Sequence, residues 1–325
     1  MAAADSPGAE QWRVHLDWSE QGSLEHYWHY LLGVILPLAD LYRRNPGRLR
    51  DARLLLDSCG PVMDSVITGP GLDLAVEIVD GPPRIRREPM WRFRLHAMLR
   101  RWRHALRLSP SWRPKLEAPV IRLPRWDAYL RRHGSADVEF TEALAAVAKL
   151  MADLARDRGC CRSGSEGVYL LLRRSDPPPY FAPGGPAGRG AYGRYGSARR
   201  TLQGLEVCRD TLAEAGVASV IYEPGAHDLA CQMRQFASAR GIVGIRGAEF
   251  ANMVWASPAA LVLMIAYDRM DHAPQRALAK AMGLCHYREL DCGPGETPTL
   301  DVHATVNIIK AHRAALAVNP GLSRA

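Results

Sequence analysis

Residues 241–255, GIVGIRGAEFANMVW, carry the clearest chemical signal in the chain. Residues 242–245 are the apolar run of a buried parallel strand, Gly247 frees the backbone for a tight turn, and residues 250–255 begin a helix. Such a junction aims the unpaired amides of a helix's first turn at whatever lies beyond the strand's carboxyl end, and anions bind there. The turn consists of Arg246, Gly247, Ala248 and Glu249. The Arg246 guanidinium can grip a phosphate through two parallel hydrogen bonds. Arg173 and Arg174 close a second apolar run, residues 168–172. The bland alternative is an ordinary crossover with solvated surface arginines.

A second group of chemistry-bearing residues lies near the start, in EHYWHYLL. On a helix Glu25 and His29 are four apart and share a face, so the carboxylate can orient the imidazole as a general base with its supporting acid. A histidine hydrogen-bonded beneath Trp28 and Tyr30 fits the same residues. Asp17, in LDWSEQG, is another candidate base, and the sequence does not decide between them.

The elements that must position these residues read as a doubly wound sheet from residue 167 onward. A strand at 168–172 leads through a long loop to a helix at 202–215, closed by Gly216, and a strand at 217–222. A helix capped by Asp228 puts Leu229, Met233 and Phe236 on one face, and strands at 242–245 and 261–265 follow. Ligands of such sheets sit outside the strand carboxyl ends, where Arg173, Arg174 and Arg246 would gather.

Upstream, residues 1–10 read as a disordered tail and residues 11–156 as an N-terminal α/β domain. That domain reads as a helix at 24–42 with Pro37 kinking or splitting it, strands at 53–57 and 74–79, then helices. The helix at 141–156 carries an apolar stripe of Leu144, Val147, Met151 and Leu154. The polar run 157–166, DRGCCRSGSE, is the expected linker, and residues 167–325 the C-terminal domain. A final helix at 302–316 either crosses back onto the first domain or lies on the surface.

RRTLQGLE, DLACQMRQFASARGIVGIRGAEFANMVW and the upstream EHYWHYLLGVILPLADLY resemble blocks of the family 61 glycosyltransferases, whose bacterial members include capsular polysaccharide biosynthesis proteins. That family's order is an arginine-ended strand, an arginine followed by Asn and Glu at the next helix, a Gln-containing helix and a GxHGAxLxN turn. The equivalents are Arg173; Arg199 or Arg200 with Gln203 and Glu206; Gln232; and Gly244, Arg246, Gly247, Ala248 and Asn252. The resemblance covers about a hundred residues plus the upstream patch. It implies two Rossmann-like domains facing a cleft, the GT-B architecture, with the C-terminal one holding a nucleotide sugar and the N-terminal one a glycan acceptor. It implies inverting transfer in polysaccharide synthesis, and it puts His29 on the family's characteristic histidine. The donor-binding residues it implies are Arg173, Arg199, Arg200, Gln232, Arg246, Gly247, Ala248, Glu249 and Asn252; the catalytic candidates are His29, Glu25 and Asp17. There are departures: Arg246 replaces the turn histidine, Gln203 an asparagine, Cys231 an acid, Glu249 a small residue, and Met264 an acid on the following strand. They leave open a catalytically degenerate relative that binds glycan or scaffolds an assembly.

The chain has a net charge of +8, carried by arginine, since only Lys115, Lys149, Lys280 and Lys310 are lysines. Charge alone does not choose among phosphate ligands, a membrane surface and nucleic acid, but no nucleic-acid motif or aromatic–basic alternation is present. No Asp-x-Asp pair occurs, so no metal is expected, nor any cofactor beyond the nucleotide-sugar substrate; GIRGAE lacks the glycine spacing of a nicotinamide site. Seven irregularly spaced cysteines do not make a secreted disulfide framework, and neither a signal peptide nor a membrane span is expected, which points to the cytoplasm. In residues 91–106, Trp91, Leu95, Met98, Leu99, Trp102 and Leu106 share one face with arginines on the other. That segment is either a core-packed helix or a peripheral contact with an anionic membrane presenting a lipid-linked acceptor. The loop 175–198, with Tyr180, Tyr192, Tyr195, Arg189 and Arg194, reads as a disordered stretch or a lid over the donor.

Overall fold

The computed structural model describes residues 10–17, 24–68, 74–79, 111–117, 119–156, 167–176, 179, 201–266, 273–293 and 297–318. The chain forms two compact α/β units: Met1–Thr68 with Leu72–Arg132, and Gly69–Gly71 with His133–Ala325. Among the described residues no helix is long and apolar enough to cross a membrane.

In the first unit the strands are β1 (Gln11–Leu16), β2 (Arg53–Asp57), β3 (Ala75–Val79), β4 (Lys115–Glu117) and β5 (Val120–Leu123). They lie in the order β3-β2-β1-β5-β4, all parallel except the short edge strand β4. In β1 Trp12, Val14 and Leu16 are buried while Gln11, Arg13 and His15 are exposed, the two-residue period of a strand with one face on a core. β1, β4 and β5 were not among the expected elements; each is short, and none is an uninterrupted apolar run.

Between β1 and β2 the expected helix is divided. α1 (Tyr27–Tyr30) passes through a π-turn (Leu31–Ile35) into α2 (Leu36–Arg44), followed by α3 (Pro46–Leu49). The cause is Pro37, which has no N–H to offer the carbonyl four residues back. The Leu36 N–H instead reaches Leu31 O, five back, and Pro37 then opens a new helix in its first turn. α4 (Pro61–Thr68) follows β2, and α5 (Trp126–His133) follows β5.

The second unit holds β6 (Tyr169–Leu172), β7 (Ser219–Tyr222), β8 (Gly241–Ile245), β9 (Leu261–Ala266) and β10 (His286–Asp291), all parallel, in the order β10-β9-β8-β6-β7. The central strands β6, β8 and β9 are buried along their whole lengths, as parallel strands covered on both faces must be. The helices are α6 (Val138–Arg156), α7 (Leu205–Glu214), α8 (Leu229–Ser238), α9 (Ala273–Ala281) and α10 (Val302–Val318), with a 3-10 segment at Ala248–Trp255. Leu171, Val243, Leu263, Val306 and Ile309 belong to one core.

Several sequence expectations change here. α6 packs on α8, the 3-10 segment and α9, burying Leu144, Val147 and Met151. The division between units therefore falls at Arg132/His133, ahead of that helix, and the expected linker 157–166 lies outside the described residues. α10 packs one face on α7 within its own unit, burying Val306 and Ile309, and exposes much of the rest, as the surface alternative had it. The segment after Gly247 is 3-10 rather than α-helical. Cys231 is disulfide-bonded, while Cys59, Cys208, Cys285 and Cys292 are free.

Candidate functional site

In the second sheet β6 lies between β7 and β8, so the chain steps outward from β6 to β7 and then crosses back to β8. That reversal is the topological switch point, where flanking connections leave on opposite faces and a crevice opens beyond the strand ends. β6 ends at Leu172 and β8 at Ile245, so Arg173 and Arg174 follow one edge of the switch point and Arg246 and Gly247 the other. The Arg246 N–H donates to Ile265 O at 2.9 Å, continuing the ladder past the strand end.

The β6 arginines face carboxylates. Arg173 is paired with Glu206, in the first turn of α7, and with Glu223 at 3.6 Å; these side chains are 37%, 57% and 37% exposed. Exposed pairs of this kind contribute about 0–1 kcal/mol and exchange readily with other anions. Arg174 Nε donates to Glu249 Oε1 at 2.7 Å in a more enclosed setting, with side chains 11% and 21% exposed. Gly247 itself has φ −171°, extended backbone that any residue adopts, so the turn does not need glycine for conformational freedom. What a Cβ there would crowd is the tip of the Glu249 side chain, which is flexible and can shift.

Gln232 and Asn252 are brought together by α8 and the 3-10 segment. Asn252 Nδ2 donates to Gln232 Oε1 at 2.9 Å, Gln232 Nε2 donates to His227 O at 2.9 Å, and Trp255 Nε1 donates to Asn252 Oδ1 at 3.1 Å. This buried amide relay ties the loop after β7 to the turn after β8. Asp228 caps α8 by accepting from the Cys231 N–H at 2.7 Å. Above the relay the exposed His227 ring stacks on buried Tyr222, with centroids 4.9 Å apart and planes 7° from parallel. Beside the switch point Met264 pairs in register with Glu289 of β10, which accepts from the Tyr287 hydroxyl and from Arg276 Nε, both at 2.9 Å.

The first unit has its own switch point between β1 and β5, and His29 and the Asp17 backbone are both tied to the Arg125–Asp127 pair that follows β5. Asp17 follows β1, and its carbonyl accepts from Arg125 Nη1 at 3.4 Å. Arg125 forks onto Asp127, with Nε to Oδ1 and Nη2 to Oδ2 both 2.8 Å. His29 Nδ1 lies 2.6 Å from Asp127 Oδ2. Burial alone would raise the Asp127 pKa, but hydrogen bonds from His29 and Arg125 and the guanidinium charge outweigh it and hold the carboxyl well below its usual range. An ionised Asp127 can only accept, so Nδ1 carries the proton and Nε2 is left as the basic nitrogen. The missing side chain at Gly33 makes room for this, because a Cβ there would meet Arg125 Cδ at 2.7 Å.

His29 is therefore oriented by Asp127, from ninety-eight residues away, and not by the expected Glu25. Glu25 precedes the first helical residue, Tyr27, so the helical i to i+4 geometry assumed for it does not form. Asp127 and Arg125 were missed because their positions depend on β5. The legible trace was a short alternating segment, VIRL, followed after Pro124 by Arg-x-Asp. Arg199, Arg200, residues 91–106 and most of the loop 175–198 lie outside the described residues. No protein-family model matches the chain, and no curated protein matches it.

Proposed function

We propose that the chain is a glycosyltransferase of the two-domain GT-B type, moving a sugar from a nucleotide donor to a glycan acceptor with inversion. The observation that carries this reading is the parallel adjacency of β6 and β8, which brings Arg173, Arg174 and Arg246 to one switch point. Arginines at the carboxyl ends of two neighbouring strands of a doubly wound sheet suit a diphosphate leaving group, whose growing charge needs fixed cations. The His29–Asp127 pair suits the other half of the reaction. The acceptor hydroxyl gives its proton to Nε2, its oxygen bonds to the anomeric carbon, and the bond from that carbon to the diphosphate breaks. Family resemblance supplies the inversion, the donor class and the setting in surface polysaccharide synthesis.

A thermal-shift panel of nucleotide sugars on the full chain tests this. A donor at a hundred times its Kd stabilises the native state by about 2.7 kcal/mol. Arg246→Ala should abolish the shift, while His29→Asn should keep it and lose transfer. Absence of any shift across the panel sinks the proposal. One observation favours the alternative of a non-catalytic glycan binder: the Gln232 and Asn252 amides are engaged with each other. That reading predicts a shift with oligosaccharide and none with nucleotide sugar.

A further inference from the structure

We infer that Glu249 is an internal surrogate for a ligand phosphate, holding the anion position at the second unit's switch point so that a diphosphate binds only by displacing it. The inference rests on the reading of that switch point as an anion site. One carboxylate oxygen of Glu249, Oε1, accepts from Arg174 Nε at 2.7 Å, the contact a phosphate oxygen would make. The other, Oε2, lies over Gly247, 2.3 Å from where a Cβ would stand, and is buried without a hydrogen-bond partner. The carboxylate therefore fills the place closest to the turn backbone with half of its hydrogen-bonding capacity unused. A buried acceptor left unsatisfied favours departure, since swinging into water restores its hydrogen bonds.

The Arg173 pairs do not have this character. They are more exposed and so screened by solvent, and an arriving anion replaces them at little cost. Arg174–Glu249 is the enclosed contact, and the one that sets a threshold. A ligand must bring more charge and more acceptors than one carboxylate to win Arg174. Glu249 thereby makes the site select diphosphates over monophosphates and carboxylates.

Titration calorimetry of the full chain with inorganic pyrophosphate and inorganic phosphate tests the inference. Glu249→Gln keeps the shape and removes the charge, and Glu249→Ala removes both; urea melts confirm folding, and the glutamine variant decides if the alanine variant does not fold. Both variants are expected to bind pyrophosphate at least about tenfold tighter than the native chain, with a smaller preference over phosphate. Adding Arg174→Met should erase the gain. Unchanged or weaker binding in the variants, with the native chain still binding pyrophosphate, overturns the surrogate role and leaves the anion site standing. No binding by any of the three overturns both. Tighter pyrophosphate binding without any nucleotide-sugar shift keeps this inference and removes glycosyl transfer.

Discussion

Replacing Asp127 by asparagine takes a charge from a place without solvent. The Arg125 and Asp127 side chains are 1% and 0% exposed, and their two contacts are 2.8 Å each. An ion pair on the surface contributes about 0–1 kcal/mol. Breaking a buried one at a single partner costs about 3–5 kcal/mol, because the remaining charge stays desolvated after losing that counterion; Arg125 would keep its contact with the Asp17 carbonyl. Arg125 cannot retreat, being packed over Gly33. Asp127→Asn should therefore lose about 3–5 kcal/mol in urea unfolding at pH 7, a large share of the roughly 5–15 kcal/mol of an ordinary domain. Removing both charges in Arg125→Met with Asp127→Leu should cost far less than the sum of the single changes, since neither half of the buried pair is left without the other. A pH arm follows from the same residue. The Asp127 pKa is lowered in the fold, so its contribution is complete above the unfolded value of about 3.9 and is lost as pH falls below that toward the folded value. The native chain should show that acid limb and Asp127→Asn should lack it. A cost under about 1 kcal/mol for the single variant, or simple additivity in the double, refutes the reasoning.

Three further outcomes are expected. Gly33→Ala forces a Cβ against Arg125 Cδ and Nε at 2.7 and 2.8 Å; it should cost about 1–3 kcal/mol in urea and reduce any transfer activity as His29→Asn does. Asn252→Leu strands Gln232 Oε1 and Trp255 Nε1 in the core, so unfolding should show a loss of about 1–3 kcal/mol for each group left unpaired. His312, buried between Tyr169 and the Ala259 carbonyl, has its pKa lowered by burial and then by His286 and Arg240, against an opposing hydrogen bond to Ala259. Its contribution should be complete above the unfolded pKa of about 6.5 and fade as pH falls through the lower folded value, which melts of the native chain and His312→Gln at pH 5 and 8 would reveal as a pH slope present only in the former.

The second unit was readable because its central strands are uninterrupted apolar runs whose ends coincide with arginines. YLLL closing on Arg173 and GIVGI closing on Arg246 announce both the strands and the guanidiniums beyond their ends. β1 and β5 escaped because a strand with one buried face shows only alternation, and four to six alternating residues look like loop. Losing β5 meant losing Arg125 and Asp127. The helical spacing of Glu25 and His29 then stood in for a partner that only tertiary structure supplies. Gly247 illustrates a different gap: the turn conformation expected from its residue type is absent, and the Glu249 carboxylate lying over it is a side-chain contact that composition does not encode.

The central claim is that the switch point between β6 and β8 receives a diphosphate. A crystal structure of the full chain with a nucleoside diphosphate tests it most directly. The account predicts phosphate oxygens between Arg174 and Arg246 over Gly247, with the Glu249 carboxylate turned away. A nucleotide bound elsewhere, or an intact Arg174–Glu249 pair beneath it, would contradict it.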